Sequence, residues 1–70
     1  MRDNLDLAAD AQELADAAPE GSVDRAAASS VAITLATTRD AAQARKTLDG
    51  LSPDDVRTAA LALFDRLSAD

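Results

Sequence analysis

The sequence predicts an all-α protein: a small antiparallel bundle of three or four short helices over about residues 3–18, 22–37, 38–49 and 53–68, in a single domain spanning 1–70. Three observations carry this. Leu, Val and Phe recur with Ala at alternating spacings of four and three residues, the period of a helix face. Alanine, the strongest helix former, supplies 18 of the 70 residues. Chain breakers gather at Pro19–Gly21 and at Gly50, Ser52 and Pro53, and connections that short set neighbouring helices antiparallel.

In the first helix Leu7, Ala11, Leu14 and Ala18 share a face, which Ala8 and Ala15 widen. Asp3 stands at its N-cap, with Asp6 three residues on as in a capping box. Ser22 reads as the N-cap of the second helix, and Asp24 meets the positive end of that helix dipole. From Val23 to Thr37 the only charges are Asp24 and Arg25, so the segment predicts a central helix that is apolar on nearly every side. Val31, Ile33 and Thr34 also suit a strand, but a lone strand has nothing to pair with.

Thr38 reads as the cap of a third helix. Threonine opposes helix only mildly, so 23–49 also reads as one continuous helix. Ala41, Ala44, Leu48 and Leu51 form a narrow apolar stripe, and Gly50 reads as the glycine that stops it. Ser52-Pro53-Asp54-Asp55 is the strongest local signal, with Ser as cap, Pro in the first helical position and two carboxylates in the first turn. In the fourth helix Val56, Ala60, Leu63 and Leu67 form a seam that Ala59, Leu61 and Phe64 broaden, and Arg66 suits the C-terminal end.

What the chain lacks limits its chemistry. It has no His, Cys, Trp or Tyr, which removes disulfides, thiol nucleophiles, imidazole bases and Cys/His zinc sites. Its carboxylates form neither an EF-hand loop nor the Glu-x-x-His pairs of a di-iron bundle. Its serines have no base arranged beside them, and its two glycines lie too far apart for a phosphate-binding loop. The expectation is a non-enzymatic protein without cofactor or metal. No apolar run approaches the ~20 residues that cross a bilayer, and residues 2–16 carry charges where a signal peptide has its apolar region. A soluble, cytoplasmic protein without membrane contact is expected.

Direct nucleic-acid binding is not expected either. A helix–turn–helix read over 39–67 would open its recognition helix with Asp54 and Asp55, which repel phosphates. The single aromatic residue, Phe64, falls on the apolar pattern and leaves no platform for stacked bases.

Size and charge point instead to a partner. A 7.2 kDa chain buries only about 60% of its unfolded surface, and nothing covalent staples this one. A homodimer or another protein is the natural remedy. The small side chains Ala26, Ala27, Ala28, Ser29 and Ser30 would admit a close helix crossing, within the molecule or against a second copy. The formal charge is -6, but unevenly spread: residues 1–20 carry a net -5, residues 21–47 a net +2 and residues 48–70 a net -3.

Asp6, Asp10, Glu13 and Asp16 form an acidic ridge, and Arg39, Arg45 and Lys46 form the one basic cluster; these are the candidate partner-binding residues. The leading expectation is a protein–protein interaction or regulatory module. The alternatives are an acidic inhibitor occupying a basic or nucleic-acid-binding site on another protein, and a dimerisation or docking element that uses the Val56–Leu67 seam.

Overall fold

The computed structural model describes residues 4–69. They form four helices, α1 (Asn4–Ala17), α2 (Val23–Thr37), α3 (Ala41–Leu48) and α4 (Asp54–Ser68), with no strand among the described residues. The all-α bundle predicted from the spacing is the observed fold. Asp3, the expected cap of the first helix, lies outside the described residues.

The first connection follows the sequence signals. The Ser22 N–H donates to the Pro19 carbonyl at 3.2 Å, closing a tight turn. Gly21 occupies its third position with φ at +77°, the sign that a type II turn demands there. Ser22 caps α2 as expected: its hydroxyl accepts the Arg25 N–H at 3.1 Å and donates to the Pro19 carbonyl at 2.7 Å. Chain direction therefore reverses within five residues, and α1 lies along α2.

The segment 23–49 is two helices, and threonine hydroxyls mark the break. Thr37 Oγ1 donates to the Ile33 carbonyl at 2.9 Å, and Thr38 Oγ1 donates to the Thr34 carbonyl at 2.7 Å. Thr38 Oγ1 thus takes the carbonyl that the Thr38 N–H would use if the helix continued. Asn4 Nδ2, from the start of α1, donates to the Thr38 carbonyl at 3.3 Å and ties the end down. Thr38 is thus the C-cap of α2 and not the N-cap of α3. Asp40 takes that role: its carboxylate accepts the Gln43 N–H at 2.8 Å, while Gln43 Oε1 accepts the Arg39 N–H at 3.0 Å. This is a capping box displaced by one residue.

Two expectations at the last connection need correction. Gly50 follows the end of α3, but its φ is not positive, so it is not a left-handed stop. Its N–H bonds to the Thr47 carbonyl at 3.1 Å, as any residue's would. Ser52 does not cap α4 either. Pro53 is the N-cap, with an extended backbone (ψ 175°) and no side-chain cap bond, so the first helical residue is Asp54. The two carboxylates still occupy the first turn: Asp55 accepts the Val56 N–H at 2.8 Å, and Asp54 pairs with Arg57 at 2.7 Å.

α2 is the hub, packing against α1, α3 and α4. That matches its sparse charge. Among the described residues, eight of the thirteen buried apolar side chains are alanine (Ala8, Ala11, Ala15, Ala27, Ala28, Ala32, Ala44 and Ala60). The core is therefore built by close approach of helix backbones around a few large side chains, Leu7, Val31, Leu35, Leu48 and Phe64. The radius of gyration, 10.7 Å, agrees with the ~11 Å expected of a packed chain this long.

Three details depart from the apolar pattern. Ile33 lies on the outer arc of α2, 65% exposed, so this helix is central without being buried all round. Leu14 is 41% exposed because the buried face of α1 is rotated toward Ala8 and Ala15. In α4 the buried positions are Ala60 and Phe64, while Val56, Leu63 and Leu67 are half-buried.

Candidate functional site

The acidic residues of α1 stand opposite its core face. Leu7, Ala11 and Ala15 point into the bundle, and helical rotation carries Asp6, Asp10, Glu13 and Asp16 outward. Asp6, Glu13 and Asp16 are exposed and Asp10 is half-buried. Asp16 accepts a hydrogen bond from Gln12 Nε2 at 3.1 Å. By spacing, Asp6, Asp10 and Glu13 share one face of α1, with Asp16 beside it. Among the described residues, no three carboxylates converge closely enough to hold a metal ion.

Arg45 reaches across to α4 and pairs with Asp65, both side chains being more than half exposed. Lys46 is the next residue and so points about 100° away around α3. Arg39 precedes the helix in an exposed connection. Arg45 and Lys46 therefore leave α3 in different directions.

The fold makes a second feature that the spacing did not announce. α1 and α4 both pack on α2 and touch each other only sparsely. Between them lies an open groove of about 240 Å³. Its floor is Ala27 and Ala28 of α2, and its walls are Leu14, Ala17 and Ala18 on one side and Ala59, Leu63 and Arg66 on the other, with Asp24 at the α2 end. The volume is below the ~300–1,000 Å³ of pockets that enclose drug-sized ligands. The lining offers two charged side chains, Asp24 and Arg66, and no nucleophile or base in a catalytic arrangement.

Sequence reasoning named Leu63, Ala59 and Leu14 as apolar positions but had no means of joining them. Leu14 and Leu63 are 49 residues apart, and only the packing of their helices on α2 brings them to one slot. Asp24 and Arg66 were read as dipole partners of their own helices. Each is also a polar boundary of the groove.

No helix of the described residues is long and apolar enough to cross a membrane. No protein family matches this chain, and no curated protein or solved structure is detectably similar to it. The fold and its surface define a class: a small acidic four-helix bundle with a carboxylate row on α1 and a largely apolar groove between α1 and α4.

Proposed function

We propose that this chain is a non-enzymatic protein-interaction module whose acidic α1 face meets a basic surface on another protein. The observation that carries this reading is the outward row of Asp6, Asp10, Glu13 and Asp16 on a helix that holds its place in the core through alanine and one leucine. Like charges along one helix face weaken the isolated helix. They raise the encounter rate with an oppositely charged surface.

The test is capture of partners at low salt and at about 1 M salt, where the Debye length falls to about 3 Å. The wild-type chain is compared with a variant carrying Asp6→Asn, Asp10→Asn, Glu13→Gln and Asp16→Asn. Capture should be lost both on neutralisation and in high salt. Retention of the same partners by the neutralised variant refutes the reading.

A second reading, a homodimerisation element, is favoured by one observation: Ile33 stands 65% exposed on the arc of α2 that carries no charge from Ala26 to Thr38. Light scattering over a wide concentration range decides it. A constant mass near 7.2 kDa removes the dimer.

A further inference from the structure

We infer that α3 is a hinged flap: residues 39–52 leave the bundle as a unit while α1, α2 and α4 stay packed together. The flap does not depend on the interaction reading above.

The hydrogen bonds mark where the chain parts. Asp40 and Gln43 close the start of α3, the first accepting the Gln43 N–H and the second the Arg39 N–H. At the other end the Gly50 and Leu51 N–H groups donate to the Thr47 and Leu48 carbonyls, each at 3.1 Å. Both ends of α3 are thus capped by its own segment, and neither cap ties it to another helix. Among the described residues, one side-chain bond leaves residues 39–52, the Arg45–Asp65 pair, and both of its side chains are more than half exposed. An exposed ion pair holds weakly. The chain just before the segment is held instead: Thr38 bonds to the Thr34 carbonyl and receives Asn4. The chain is therefore fixed up to Thr38 and released at Arg39.

Packing gives the same division. Ala44 and Leu48 are the buried side chains of α3, and the other eleven of the thirteen buried apolar side chains sit on α1, α2 and α4. α1 and α4 each pack on α2 more extensively than α3 packs on either neighbour. Arg39, Asp40, Ser52 and Pro53, which flank α3, are exposed. An element with few buried apolar contacts and exposed flanks is one that opens ahead of the whole molecule. α3 has eight residues, short of the ~12–15 that a helix needs to stand alone in water, so it unwinds once undocked. Opening takes Leu48 out of the core cluster that holds Leu35 and Phe64, and it uncovers an apolar seat on α2 and α4.

Hydrogen exchange of the full chain, followed amide by amide at rising sub-denaturing urea, tests the flap. After correction for intrinsic rates, the Leu48 amide should exchange at least about tenfold faster than the Val31 and Leu35 amides of α2. Its urea dependence should be much weaker, because opening α3 exposes less surface than unfolding the chain. Arg25→Ala separates the two routes. Arg25 joins α1 to α2, a contact that persists when α3 opens, so its loss weakens the closed and open forms equally. Exchange at Val31 and Leu35 should rise about 5–30-fold, while Leu48 keeps its wild-type rate. Gly21→Ala, in the same hairpin, should repeat the pattern with a factor of about five and replaces Arg25→Ala if that variant does not fold.

A Leu48 amide with the same protection and urea dependence as Val31 overturns the flap. So does a Leu48 amide that accelerates by the same factor as Val31 in either variant, since α3 is then lost only when the whole chain unfolds.

Discussion

Arg25 Nη1 donates a hydrogen bond to the carbonyl oxygen of Ala18 at 3.2 Å. The second helix thereby caps the end of the first. Ala18 lies just past the end of α1, among the carbonyls that have no partner within a helix, and a cation there also meets the negative end of the α1 dipole. The same arginine gives its backbone N–H to Ser22, so one residue closes both sides of the hairpin. Arg25→Ala should lower stability by about 1–2 kcal/mol, the range for a hydrogen bond to a charged donor that is only partly buried. For a domain of this size that shifts the melting temperature down by about 4–8 °C per kcal/mol. Thermal denaturation followed by circular dichroism measures it, and an unchanged midpoint contradicts the assignment.

The alanine core makes a second expectation specific to position. Ala27 is 2% exposed between helices, so a leucine there adds three carbons to packed surroundings. Ala27→Leu should cost about 1–3 kcal/mol through overpacking. Ala62, on the exposed side of α4, should accept leucine within about 0.5 kcal/mol. Urea denaturation of the two variants compares them under one condition. Equal stability of both would mean that α2 does not sit at a close crossing.

The two glycines should respond with opposite signs. Gly21 holds φ at +77° with nothing within 4 Å of an added Cβ, so any penalty there comes from the backbone alone. Gly21→Ala should destabilise by about 1 kcal/mol. Gly50 has no positive φ, and an added Cβ would meet only the Thr47 carbonyl, at an ordinary 3.5 Å. Gly50→Ala should leave stability unchanged or raise it by about 0.4–1 kcal/mol, by narrowing the unfolded ensemble. Equilibrium unfolding of both variants separates a glycine required by the turn from one that is merely tolerated.

The helices were legible because their signals are local. Pro19, Gly21 and Ser22 act within a few residues of chain, and so does the Asp40–Gln43 cap, which was present in the sequence although Thr38 drew the reading first. Asn4, 34 residues away, also holds the Thr38 carbonyl. Spacing alone could not supply that contact. The acidic row was legible for the same reason as the helices: residues three and four apart share a face whatever the rest of the chain does.

The sequence by itself determined the all-α class, the hairpin at Pro19–Ser22, the near-uncharged central helix and the outward carboxylates of α1. Each depends on neighbours within about one or two helical turns, where geometry is fixed by the backbone. Only the tertiary structure decided which flank of each amphipathic helix was buried. It turned Leu14 and Ile33 outward, centred α4 on Ala60 and Phe64, and paired Arg45 with Asp65. It also made the groove, because a slot between α1 and α4 exists only once both have packed on α2. The physical reason is that alanine-rich faces are wide and nearly uniform. Their rotation is set by contacts among distant helices, which no local period encodes.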